Sequence, residues 1–107
     1  MQELNERSFR DKVFGERRPV LVEFYAGWCG MCSMMEDVFD SIAEEFSGEI
    51  LTGRVEIDSN PLLTAKYRIR TIPVFLLFEH GKIIFRMVGV MELEEMVERL
   101  NDVLKNR

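Results

Sequence analysis

The stretch Val20-Leu21-Val22-Glu23-Phe24-Tyr25 constrains this chain more than any other. It is apolar on both faces except at Glu23, the pattern of a central parallel strand buried on two sides. Such a strand needs helices against each face of its sheet, and the rest of the chain reads as supplying them. Ser8 can cap a short helix to about residue 14, with Phe9 and Val13 on one face. After the strand, Gly27-Trp28-Cys29-Gly30 reads as a turn, and a helix is predicted over 31–46. Met35, Val38, Phe39, Ile42 and Phe46 recur there at helical spacing. A second strand is predicted over 50–57. Asn60-Pro61 then reads as an N-cap with proline at the first helical position, opening a short helix to about residue 67. Val74-Phe75-Leu76-Leu77-Phe78 is a third strand, Glu79-His80-Gly81-Lys82 a hairpin loop, and residues 83–88 a fourth strand. A last helix starts near Glu92, with Leu93, Met96, Val97, Leu100 and Leu104 as its apolar stripe. Two strand connections contain helices and the last is a hairpin. The expected fold class is α/β: a central mixed β-sheet with an antiparallel C-terminal hairpin and helices on both faces.

The length of 107 residues fits a single domain over 1–107. A chain of this size buries roughly two-thirds of its unfolded surface, so it needs neither a metal nor a structural disulfide to fold. The net charge is −5, and Arg7, Arg10, Lys12, Arg17 and Arg18 are interleaved with Glu6, Asp11 and Glu16. That balance argues against nucleic acid as a partner. No apolar run approaches the ~20 residues of a membrane helix, so no membrane partner is expected. The start, Met1 to Glu6, has neither the basic nor the apolar region of a secretory signal. The expected setting is cytoplasmic, and a monomer is the simplest expectation.

The chain has two cysteines, Cys29 and Cys32, three positions apart. The spacing alone fits zinc ligation, a structural bridge or a redox pair. Zinc takes about four ligands, and the other N/S candidate is the distant His80, so no metal is expected within one chain. A metal shared between two chains stays open. A bridge closing so short a loop removes little unfolded-chain entropy, which makes stapling a weak reason for the pair. The redox reading gains from position, since the pair sits where a buried strand ends and a helix begins. Residues three apart on a helix have Cβ atoms roughly 5–6 Å apart, within a modest closure of disulfide geometry. Cys29, at the helix start, meets free N–H groups and the helix dipole, which favour a thiolate and pull its pKa below the free value of ~8.5. Cys32, one turn inside, is expected to be less exposed. Cys29 then attacks a substrate disulfide and Cys32 resolves the mixed disulfide. No bound cofactor is implied, because the cysteines carry the electrons.

Trp28-Cys29-Gly30-Met31-Cys32 resembles the Trp-Cys-Gly-Pro-Cys active site of the thioredoxin family. The resemblance runs on through residues 20–26, Arg54-Val55-Glu56-Ile57-Asp58, Asn60-Pro61 with Lys66-Tyr67, Ile69-Arg70-Thr71-Ile72-Pro73, and Val88-Gly89. It covers nearly the whole chain, apart from a short start that would shorten the first strand. It implies a thioredoxin fold and a protein-disulfide reductase acting on oxidised protein substrates. It also implies a thioredoxin-reductase-type electron donor. Pro73 would be cis and face the disulfide, leaving the Ile72 backbone free to pair with an extended substrate strand. Trp28 would shield the site and contact partners, or simply pack. Gly30 and Met31 would support the site from between the cysteines, and Thr71, Ile72, Val88, Gly89 and Val90 would line the docking surface. Glu23 falls where the family has a buried aspartate, which would exchange a proton with Cys32. Burial raises the pKa of such a carboxyl; the alternative is an acid that reaches a sheet edge. Arg54 replaces a lysine that pairs with that acid, and the competing reading is a solvated strand-end arginine.

The chain departs from the family pattern at several positions. Met31 replaces proline and would place an N–H near the Cys29 sulfur, favouring the thiolate and a less reducing potential. Asp37 replaces a helix-kinking proline, so the long helix is expected to be straighter. Ser33 replaces a common lysine. Met35 reads as core, Met31 as an adaptable contact, Met34 as a partly exposed helix residue and His80 as solvated. Two other functions compete with the reductase: a disulfide oxidase or isomerase of the same fold, and a thioredoxin-like binding module whose cysteines rarely turn over.

Overall fold

Val20–Tyr25 forms strand β2 at the centre of the sheet, as its two apolar faces require, and all of it but Tyr25 is buried. The computed structural model describes residues 1–107. The other strands are β1 (Gln2–Leu4), β3 (Leu51–Glu56), β4 (Val74–Glu79) and β5 (Lys82–Val88), in the order β1-β3-β2-β4-β5. The β1, β3 and β2 strands run parallel. β4 lies antiparallel to β2, and β5 antiparallel to β4. The helices are α1 (Gly30–Met34), α2 (Glu36–Glu45), α3 (Pro61–Lys66) and α4 (Leu93–Asn106). None is long and apolar enough to cross a membrane.

Side chains alternate across the sheet, which makes two cores. Val22, Phe24, Leu76 and Phe78 face one side, with Phe9, Val13, Leu63 and Ile69. Leu21, Phe75, Leu77 and Met87 face the other, against Phe39 and Ile42 of α2 and Met96 and Leu100 of α4. Phe39 and Phe75 meet edge to face at 5.4 Å, and Phe9 and Phe78 at 5.6 Å. Each such buried ring contributes about 1.5–3 kcal/mol. By the same alternation Glu23 shares its face of β2 with Leu21 and Tyr25.

Three local expectations are corrected. The helix expected to run straight over 31–46 is two helices, broken at Met35. There the N–H donates to the Cys32 and Ser33 carbonyls, and α2 starts afresh at Glu36. Met35 is fully buried and its sulfur accepts the Met91 N–H at 3.5 Å, so a tertiary contact shapes the junction without any proline. At the N-terminus Asn5, not Ser8, does the capping. Its Oδ1 accepts the N–H groups of Arg7 and Ser8 at 2.9 and 3.0 Å, while the Ser8 Oγ accepts the Asn5 N–H, ahead of the wide turn Arg10–Phe14. Asn60 precedes α3 but caps nothing. Its amide is spent on Glu56 O and the Glu6 N–H, and the Glu6 carboxylate caps α3 instead, through the N–H groups of Leu62 and Leu63.

The hairpin between β4 and β5 has a two-residue loop, His80 and Gly81, both with positive φ (52° and 80°), as a primed turn requires. A side chain at Gly81 would also press on the Phe14 ring, 3.2 Å from where its Cβ would lie.

Candidate active site

The end of β2 delivers the chain to the cysteines. Ala26 closes the strand, its carbonyl accepts the Cys29 N–H at 3.2 Å, and α1 begins at Gly30 with Cys29 as its N-cap. Cys29 and Cys32 form a disulfide with Cα atoms 5.2 Å apart. Cys29 is 8% exposed and Cys32 2%, the expected inequality. One backbone donor reaches the Cys29 sulfur, the Cys32 N–H at 3.1 Å. The Met31 N–H, expected to fill that role, does not. Met31 and Cys32 are the second and third helical positions, both of which an N-capping side chain can accept from, and in the disulfide form Cys32 makes the bond.

Ile72 packs against Ala26, Cys29 and Cys32, and the Ile72–Pro73 bond is cis, so the loop lies against the disulfide. The Pro73 carbonyl accepts the Gly89 N–H at 2.8 Å, tying this loop to the end of β5. Thr71, Val88 and Val90 are exposed around it and Ile72 is half-buried. No atom lies within 4 Å of where a Cβ would stand on Gly30 or Gly89, so the approach to the cysteines is open at both. Trp28 is 70% exposed, which rules out simple packing. Its Nε1–H donates to Asp58 at 2.7 Å, which fixes the ring's orientation. Met34 is 65% exposed and Met31 48%, while Met35 is core.

Behind the cysteines the register of three parallel strands builds a charged row. Glu3 on β1, Arg54 on β3 and Glu23 on β2 stand directly beside one another. Glu23 is wholly buried, and Arg54 Nε donates to its Oε1 at 3.2 Å. The sheet-edge and solvated-arginine readings are therefore set aside. The second oxygen of Glu23 has no partner. Burial pushes its carboxyl up to about 7, with Arg54 pulling the other way. The Arg54 guanidinium lies over the Tyr25 ring, 3.9 Å from its centre. The Tyr25 hydroxyl donates to Glu3 at 2.7 Å, and burial followed by that bond pushes it up to about 12. A cavity of about 160 Å³ is lined by Tyr25 and Arg54 of this group together with Glu36, Cys32 and Ser33.

Glu3, Tyr25, Asp58 and Glu36 are the residues that sequence reasoning missed. Each reaches the site through register or a turn, for which the sequence carries no signal. No element supplies an additional ligand set to the cysteines, and the arrangement is built for exchange between two sulfurs and a third.

A strand-to-helix disulfide under a cis-proline loop defines the class, thiol–disulfide exchange proteins. The family model described as Thioredoxin matches residues 1–102. A thioredoxin from Pyropia yezoensis is 35% identical over 101 residues, 94% of each chain. One from Chlorobaculum thiosulfatiphilum is 29% identical over 100 residues, 94% of this chain and 93% of its own. The bifunctional thioredoxin reductase/thioredoxin of Mycobacterium leprae (strain TN) is 33% identical over 104 residues, 97% of this chain and 23% of its own. The chain belongs to the thioredoxin family and has its fold. With the paired cysteines, that makes it a thiol–disulfide oxidoreductase of the protein-disulfide reductase kind.

Proposed function

We propose that the chain, acting as one domain, reduces disulfides of oxidised proteins, with Cys29 as nucleophile and Cys32 as resolving thiol. The observation that carries this is the asymmetry of the pair: Cys29 is the more exposed cysteine and its sulfur takes a backbone N–H, while Cys32 lines a cavity together with Arg54, the ion-pair partner of Glu23. The Cys29 thiolate attacks one sulfur of the substrate disulfide, and the other leaves as a thiolate. Cys32 gives up its proton, with Glu23 as the proposed acceptor, and the cavity that Cys32 lines has room for a water. It then attacks the Cys29 sulfur. The second substrate sulfur departs as a thiolate, and the protein keeps the Cys29–Cys32 disulfide. Two electrons have passed to the substrate, whose two thiolates take up protons from Glu23 and from water.

Glu23 suits the proton step because a carboxyl at about 7 is half-ionised near neutral pH. Arg54 limits how far burial raises it, and Tyr25 with Glu3 holds Arg54 in place. Pro73 has no N–H and keeps the loop from closing on itself, so Ile72 can receive an extended substrate segment. Trp28, Met31, Val88 and Val90 cover its apolar side chains, with Thr71 and Gly89 at the margin.

One relative carries a thioredoxin reductase and a thioredoxin in its name. For this chain a separate reductase of that type is the proposed electron donor, in a cytoplasmic setting where such a donor keeps the pair reduced. The test is insulin reduction beside a Cys32→Ser variant. Turnover by the parent chain and a stable mixed disulfide through Cys29 in the variant are expected. No turnover and no trapped adduct would leave the binding-module reading.

A further inference from the structure

Arg68 is a non-glycine residue in the left-handed region, with φ of 52°. It closes α3. The Arg68 N–H donates to Ala65 O at 3.1 Å and the Ile69 N–H to Thr64 O at 2.9 Å, the paired bonds of a helix stop at which glycine is the favoured residue. An arginine there bears a backbone cost that glycine would not. What the side chain gains is position. Arg68 and Arg70 border a groove of about 520 Å³ whose floor includes Ile57 and Asp58. Ile57 packs against the cysteine cluster and Asp58 holds the Trp28 indole, so the groove opens at the edge of the disulfide.

Both arginines are exposed and neither forms an ion pair. In the larger hollow at the far end of the molecule, about 590 Å³, Arg18 and Arg107 are already paired with Glu16 and Glu79, which leaves Arg17 as its one unpaired arginine. Asp58, the one acid in the groove, is engaged by Trp28. Two uncommitted guanidinium groups therefore stand beside the redox site of a chain whose net charge is −5.

We propose that this groove receives an acidic segment of the substrate protein next to its cystine, with carboxylates pairing to Arg68 and Arg70. The inference rests on the reductase reading above and names the substrate class of that site. A substrate strand laid against Ile72 and continuing past Thr71 enters the groove, and carboxylate–guanidinium pairing there sets its register. The overall charge opposes such substrates, so the preference has to come from the groove.

The test is single-turnover oxidation of the reduced chain, followed by Trp28 fluorescence, with three disulfide peptides. Their cystine is flanked by Asp and Glu, by Ser, or by Lys. In each case the peptide gains two electrons and two protons and the chain's dithiol becomes its disulfide. At low ionic strength the acidic peptide is expected to react about five-fold faster than the neutral one, from two surface ion pairs. High salt should abolish that advantage. The double variant Arg68→Gly with Arg70→Gln should abolish it too, and glycine suits the left-handed position, so the fold is kept. A wild-type preference for the Lys peptide, as net charge alone dictates, overturns the proposal, and so does an acidic advantage that survives in the variant. A loss confined to recharging by a reductase would assign the groove to the electron donor and also overturns it. Failure to react even with the neutral peptide would instead strike the reductase reading itself.

Discussion

Two sides of the same disulfide treat water in opposite ways. Behind it, Glu23 is a carboxyl held wholly out of water, linked to Arg54 at 3.2 Å. In front of it, Trp28, Met31, Val88 and Val90 are apolar side chains held out in water. Both arrangements cost free energy in the isolated molecule, since a buried acid loses hydration and an exposed apolar patch orders solvent. The rear cost sets proton affinity near Cys32 and is present whether or not a partner is bound. The front cost is recovered when a partner covers the rim. The rear should therefore answer to pH and the front to the identity of the substrate.

The largest expected effect lies at the rear. An ordinary glutamate carboxyl titrates at 4.5, and burial carries Glu23 to about 7. Between those values the folded chain retains a proton that the unfolded chain has released. Stability is therefore fullest below the unfolded value and falls as pH rises through the window, by about 3 kcal/mol in all. Denaturant unfolding of the disulfide form at about pH 5 and about pH 8 should show this loss, and Glu23→Gln should flatten it. Arg54→Met, which removes the group pulling the carboxyl down, should extend the decline to higher pH. An unchanged slope in Glu23→Gln would show that the acid is not the titrating group.

At the front, Val90→Ser should slow the reduction of a protein disulfide about five-fold, the size of a modest interface contact near 1 kcal/mol. The potential of the pair should stay where it is. If the potential moved as well, the two sides would not be separable.

The smallest effect concerns Met31, which lies on the boundary between the two sides. The donor on the Cys29 sulfur is the Cys32 N–H, which a proline at 31 leaves in place. Met31→Pro is therefore expected to lower the potential by less than about 30 mV, the equivalent of ~1.4 kcal/mol for a two-electron couple. A larger drop would mean that the Met31 N–H reaches the sulfur in the reduced state.

Much of the fold was legible because it rests on local pattern. Two-sided burial of β2, the primed hairpin at His80-Gly81 and the stripe of α4 follow from residues within a few positions of each other. The cysteines were legible for the same reason, lying where an apolar strand runs into an amphipathic helix. What escaped is set by distant partners. The break at Met35 depends on Met91, the cap of α3 on Glu6, and the hold on Arg54 on the register that lines up Glu3, Arg54 and Glu23. Nothing near Asp37 in sequence reveals that the helix turns two residues earlier. Glu23 stood out as an acid in an apolar strand, but its partners came only with strand pairing.

Equilibration of Cys29–Cys32 with glutathione buffers, read by Trp28 fluorescence, tests the assignment most directly. One reversible two-electron transition is expected, at a potential near or below the cytosolic glutathione poise. A potential well above that poise would contradict the reductase and favour an oxidase or isomerase, and no reversible transition at all would contradict redox function altogether.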